Sequence, residues 1–243
     1  MGYLTFSIDD GHPTDFRSAE LLAKYGLKST FYIPAANPER EVLSPERVRE
    51  LATQVEIGAH TMSHLSLDRM PDDKAWIEIR DSKKWVEDLT GKVCTPFCYP
   101  QGKFTRKTEA LVEKAGFIGA RNCFFNVNTT PASRYSWGVS THAYSHSPLV
   151  QLRHAIVEGN WRGLAAYLPV HHMARDWATH FQYAVEWASQ NNGTAHLFWH
   201  SWEIDQNGEW GKLEGALRTA QASPLLRVTN GELFRTWRKF ATI

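Results

Sequence analysis

Tyr3-Leu4-Thr5-Phe6-Ser7-Ile8-Asp9-Asp10-Gly11 opens the chain with a six-residue strand signal that stops on two carboxylates and a glycine. Aromatic and β-branched residues make the strand, and Asp-Gly makes the turn. A helix is predicted over Asp15–Tyr25, and the next strand over Lys28–Ile33. The alternation then continues. Helices are predicted near Pro45–Gln54 (Ser44 as N-cap, Pro45 at the first helical position), Asp72–Leu89 and Lys107–Ala115, with strands at Val55–Ala59, Pro96–Tyr99 and Phe117–Arg121. Residues 122–147 read as loop with one strand near Tyr135–Ser140. Helices follow near Pro148–Glu158 and Arg175–Gln190, then a strand at Thr194–His200, and helices near Lys212–Ala222 and Glu232–Phe240. Strands alternating with helices over short connections imply βα units around a parallel sheet. About seven such units in 243 residues favour a barrel over an open sheet, in one domain spanning 1–243.

Composition narrows the function. Lys plus Arg number 27 and Asp plus Glu 26, a net charge of +1, so no basic excess marks a nucleic-acid binder or a polybasic membrane-surface protein. No apolar stretch approaches the roughly 18 residues of a membrane span. Cys94, Cys98 and Cys123 cannot form a disulfide framework and suit a reducing compartment. With no basic, apolar leader before Asp9, the expected location is the cytoplasm.

Chemistry gathers at strand ends. Asp9 and Asp10 repel one another unless a cation holds one of them; the bland alternative is a plain turn. His60-Thr61-Met62-Ser63-His64 places two imidazoles four residues apart, on one face of a helical turn, where both can reach one metal at about 2.0–2.1 Å. An exposed turn in a chain with 11 histidines is the alternative. Together the two signals are stronger, because both end parallel strands, the face on which barrel enzymes build their sites. One Asp and two His leave open positions for water and substrate. Tyr99-Pro100-Gln101-Gly102 and His200 follow two further strands.

At this point the chain resembles the polysaccharide deacetylases, the NodB-homology or carbohydrate esterase family 4 group. Residues 5–11 are similar to the family's opening motif, 60–64 to its histidine motif, 97–102 to its third, and Phe198-Trp199-His200 to its last. His200-Ser201-Trp202-Glu203-Ile204-Asp205 resembles a His-Pro-Trp-Glu variant of some members. The resemblance implies a deformed (β/α) barrel and metal-dependent removal of an N- or O-acetyl group from a sugar. It implies that Asp10, His60 and His64 bind one divalent ion, with Zn favoured over Co, Ni, Mn or Fe. Asp9 would be the general base that activates the metal-bound water, His200 the general acid, and the backbone N–H of Gln101 an oxyanion donor. Tyr99, Pro100, Trp137 and Trp202 are the expected substrate contacts.

One departure stands out. The family's third motif usually carries an arginine where this chain has Cys98. Arg121 or Arg134 could approach the site instead, though the commoner role for an arginine is a solvated surface residue. His12 could touch substrate or simply turn the chain. His171-His172, with Trp161 and Trp177, could line a sugar cleft or pack an insertion; His196 reads as structural. With a cytoplasmic setting, the expected partner is an acetylated saccharide, nucleotide sugar or lipid-linked glycan, an intermediate of lipopolysaccharide O-antigen or another surface glycan. The rival readings are a non-sugar amidase of the same fold, a non-catalytic glycan-binding barrel, and an Fe(II) oxygenase, which also uses two His and a carboxylate.

Overall fold

A computed structural model of the protein describes residues 1–145 and 147–237. In chain order the elements are β1 (Tyr3–Asp9), α1 (Asp15–Lys24), β2 (Thr30–Ile33), α2 (Pro45–Leu51), β3 (Glu56–Ala59), α3 (Asp72–Thr90), β4 (Pro96–Cys98), α4 (Arg106–Lys114) and β5 (Gly119–Arg121). Then come β6 (Thr141–His142), α5 (Pro148–Val157), α6 (Trp161–Tyr167), α7 (Trp177–Asn191), β7 (Thr194–His200), α8 (Ser201–Gln206), α9 (Trp210–Gln221), β8 (Leu226–Arg227) and α10 (Asn230–Arg235). Seven strands pair in the order β5-β4-β3-β2-β1-β7-β6, all parallel, and β8 adds to the foot of β1.

The expected deformed (β/α) barrel is present, and a segment without regular strand structure closes it. Ala120 N donates to Arg134 O at 3.0 Å and Asn122 N to Trp137 O at 2.8 Å on the β5 side. Ser140 N donates to His196 O at 3.0 Å and Ala143 N to Phe198 O at 2.8 Å on the β7 side. The strand expected at Tyr135–Ser140 is this bridging segment; regular pairing is confined to Thr141–His142. The last helix ends at Arg235, earlier than expected, and residues 238–240 of the predicted Glu232–Phe240 helix lie outside the described residues. The short α6, α8 and β8 were not expected from the sequence.

Strand alternation divides β1 into two faces. Leu4, Phe6 and Ile8 point to the helical shell, where Phe6 meets Phe181 and Trp199 edge-on at 6.1 and 6.3 Å. Thr5, Ser7 and Asp9 point into the barrel, whose interior is polar and internally bonded. Asn230 Nδ2 donates to Thr5 Oγ1 at 2.9 Å, Ser7 Oγ meets His196 Nε2 at 2.8 Å, and Asp9 meets Arg121. His196 is thus structural, as expected.

The foot of the barrel is plugged by the start of α10. Asn230 accepts from Tyr32 Oη at 2.8 Å, and its N–H donates to Thr30 Oγ1. Glu56 Oε2 accepts from Thr30 Oγ1 at 2.6 Å and from Gly231 N at 2.9 Å. Burial raises the Glu56 carboxyl above its ordinary value. Glu56→Ala should leave two donors without their acceptor and cost about 1–3 kcal/mol. Urea unfolding measures it, and a change below about 0.5 kcal/mol would rule out an anchoring role.

Candidate active site

Parallel register sets the site level. Asp9 on β1 lies opposite His200 on β7, Ala59 opposite Phe97, and Cys98 opposite Arg121. Side chains at the C-terminal ends of β1, β3, β4, β5 and β7 therefore converge on one mouth of the barrel.

Backbone geometry separates the two aspartates. Asp9 is the last strand residue, and Asp10 turns with φ +80°, a conformation few non-glycine residues adopt. Asp9 is 2% exposed, and Arg121, which is 0% exposed, binds both its carboxylate oxygens through Nη2. Cys98 Sγ lies 3.6 Å from Asp9 Oδ2, and burial pushes that thiol well up. Of the two candidate arginines, Arg121 therefore is the one that reaches Asp9, and it does so from β5. Arg134 does not reach the site; its guanidinium lies 5.5 Å from the Trp237 ring.

Asp10 faces the histidines. Its Oδ1 lies 3.1 Å from His64 Nε2 and 3.9 Å from His60 Nε2, and the three ligand atoms fall within 4.8 Å of one another. His60 Nδ1 donates to the Cys98 carbonyl at 2.8 Å, which leaves its Nε2 lone pair aimed at the carboxylates. Burial holds His60 down at about 4, so it is neutral and able to ligate. Burial would raise the Asp10 carboxyl, but the His64 contact and the His200 charge hold it well below the usual carboxylate range. Among the described residues, buried Asp10 Oδ1 has no hydrogen-bond donor. A buried anionic oxygen facing two imidazole nitrogens, with no proton between them in bonding geometry, fits a divalent cation.

Supporting residues fix these side chains. Glu78 on α3 accepts from Met62 N and Ser63 N at 2.8 and 2.9 Å and from Ser63 Oγ at 2.8 Å, pinning the turn between His60 and His64. Trp202 Nε1 donates to Asp10 Oδ2 at 3.1 Å, its ring stacks on His200 at 5.3 Å, and the Arg40 guanidinium lies 3.3 Å above it.

His200 Nδ1 donates to Glu203 Oε2 at 2.6 Å, and His142 Nε2 approaches the same oxygen at 3.2 Å. His200 Nε2 lies 3.9 Å from Asp10 Oδ2. Burial opposes its charged form, but the Glu203 bond and the Asp10 and Glu203 charges outweigh that and raise His200. Burial lowers His142. Glu203 sits three residues beyond His200, a helical spacing that marks it in the sequence. Nothing in the sequence marks Glu78.

Three expected substrate contacts need correction or narrowing. Tyr99 is fully buried: its hydroxyl donates to Tyr135 O and its ring packs on Phe97 and Phe104, so it belongs to the core. Trp137 is buried too, stacked on Phe234 at 5.5 Å in the second apolar cluster, away from the carboxylates. Pro100 is buried in the 3-10 turn Pro100–Gly102 and shapes that turn rather than facing solvent. In the same turn Gln101 is exposed at φ +57°, beside the barrel mouth. His12 bonds Thr14 Oγ1 at 2.7 Å as a turn residue. His171 and Trp177 pack the insertion, His171 stacking on His180 at 3.9 Å, whereas Trp161 is exposed.

Comparison with known proteins points the same way. Residues 1–120 match the family model for polysaccharide deacetylase, a span that ends before His200. YxkH of Bacillus subtilis (strain 168), named for that family, is 31% identical over 114 residues, 46% of this chain and 41% of the relative. The match thus spans less than half that relative's length. A Mycobacterium smegmatis structure assigned to the polysaccharide deacetylases superposes with a TM-score of 0.63 over 96% of this chain and 89% of its own, at 12% identity. The family 4 carbohydrate esterase of Streptomyces lividans, solved with acetate, gives a TM-score of 0.54 at 13% identity, over 90% of this chain and 86% of its own. The two superpositions show the barrel, and residues 1–120, with the motifs they contain, match the polysaccharide deacetylase family.

Proposed function

We propose that the chain removes an N- or O-acetyl group from a saccharide by metal-dependent hydrolysis. The observation that carries this reading is the pairing of two unlike carboxylates. Among the described residues Asp10 Oδ1 is left without a hydrogen bond beside two imidazoles, and Asp9 is clamped next to it by Arg121. A divalent ion held by Asp10, His60 and His64, zinc by its mixed N/O donors, would polarise the acetyl carbonyl and acidify water for attack near neutral pH.

The chain's own groups supply the proton traffic. Asp9 accepts the proton of the attacking water while Arg121 fixes its orientation. A C–O bond forms as the carbonyl opens, with the Gln101 N–H available to the oxyanion. The C–N bond then breaks as His200 Nε2 delivers a proton to the departing nitrogen. Glu203 holds Nδ1, so only Nε2 can donate. The Arg121–Asp9 pair weighs against a non-catalytic glycan-binding barrel, a reading that the arginine missing at Cys98 would favour.

Acetate release tests the proposal, on nucleotide sugars, lipid-linked glycans and acetylated polymers. A cytoplasmic intermediate of O-antigen or another surface glycan is the substrate class we favour. His200→Ala should keep its metal and lose roughly 10²–10⁴ in rate on amides. An acetate ester, whose leaving group needs that proton less, should lose less. Equal losses on both would assign His200 a positioning role, and no acetate from any acetylated saccharide would overturn the deacetylase reading.

A further inference from the structure

Helix α5 is inside out. It buries Gln151 and Ala155 against the protein and exposes Leu149, Val150, Leu152, Ile156 and Val157. Leu149 and Val157 are each 77% exposed. At 100° per residue these five cover one continuous arc opposite the buried pair, with Arg153 inside it. Trp161 at the start of α6 adds an indole that is 63% exposed. An amphipathic helix on a soluble surface turns its aliphatic side inward, and this one does the reverse.

The charges of this stretch are mostly basic. Residues 143–175 contain Arg153, Arg162 and Arg175 and a single carboxylate, Glu158. Among the described residues, neither Arg153 nor Arg162 has an ion-pair partner, and Glu158 lies 3.9 Å from His154. Aliphatic side chains and a tryptophan interleaved with unpaired arginines are the composition of a helix that lies in the interface of an anionic bilayer. A second protein copy would have to bury the arginines without a counter-charge on this face.

The face also joins the barrel mouth. Helix α5 follows β6, whose C-terminal end opens on the same side as Asp9 and His200. Its last turn walls a cleft of about 460 Å³, where Val157 and Glu158 face Gln101, Gly102 and Phe124. We propose that α5, with Trp161, docks the protein on an anionic lipid surface and holds this cleft against it. This surface function goes beyond the deacetylase reading and does not depend on it.

Vesicle cosedimentation of the full chain tests it, with phosphatidylglycerol–phosphatidylcholine vesicles against phosphatidylcholine alone. The expected result is binding to the anionic vesicles that weakens as salt rises. The double variant Leu152→Ser/Ile156→Ser should lower the partition coefficient at least roughly tenfold. Both side chains are exposed, so its circular dichroism should match the wild type; a variant that misfolds is replaced by Arg153→Glu, which should weaken anionic binding selectively. Failure of the wild type to bind, or equal binding by the variants, overturns the proposal. So does a wild-type dimer, seen by sedimentation, that dissolves in the double variant while vesicles are ignored, because a second copy then covers the face.

Discussion

Arg121→Ala should destabilise the protein by about 3–5 kcal/mol, the cost of leaving one partner of a buried ion pair alone. Among the described residues, Asp9 has no other cation within its ion-pair contacts except His60, at 3.9 Å, and burial keeps that imidazole neutral. The loss follows from removing one partner, not from the net worth of the pair, so replacing both should be milder. Arg121→Met with Asp9→Asn should therefore recover most of the stability in urea unfolding, while activity stays lost because the base is gone. Arg121→Lys keeps the charge but not the planar fork that grips both carboxylate oxygens, and should fall between. If Arg121→Ala unfolds within about 0.5 kcal/mol of the wild type, the pair does not hold the site.

That arginine also marks how far the sequence could be read. The strand and helix alternation was legible because β1, β2 and β7 carry β-branched and aromatic runs between turn signals. The candidate ligand trio was legible because Asp9-Asp10 and His60–His64 are local patterns. Arg121 was legible only as one of two candidates, since which arginine points inward depends on the register of β4 against β5, a long-range fact. Tyr99 and Trp137 misled for the same reason. An aromatic at a strand end suits a sugar platform or a core equally, and the helices packed outside decide between them. Six-residue α8 was missed because it begins at Ser201 with no connection after β7, so its first turn reads as the strand's continuation. The closing segment 134–140 has hydrogen bonds on two sides but too little regular pairing to show a period-two pattern.

The two adjacent aspartates should separate cleanly on substitution. Asp10→Asn removes the charge that faces His60 and His64, and metal affinity should fall by more than about tenfold, since that carboxylate is the only anion in the trio. Asp9→Asn removes a group whose two oxygens are already taken by Arg121, so metal content should stay near the wild-type value. Turnover should nonetheless fall by roughly 10²–10⁴, because an amide cannot take the proton of the attacking water. The measurement is paired: metal titration by competition with a chelator, and acetate release, on both variants. Thermal unfolding is followed alongside, since Asp9→Asn also strips Arg121 of its counter-charge. The outcome that reverses the assignment is specific. Asp9, His60 and Cys98 also bring ligand atoms within 4.8 Å of one another. If Asp9→Asn strips the metal while Asp10→Asn retains it and stays active, that inner trio holds the ion, and Arg121 balances a ligand instead of orienting a base.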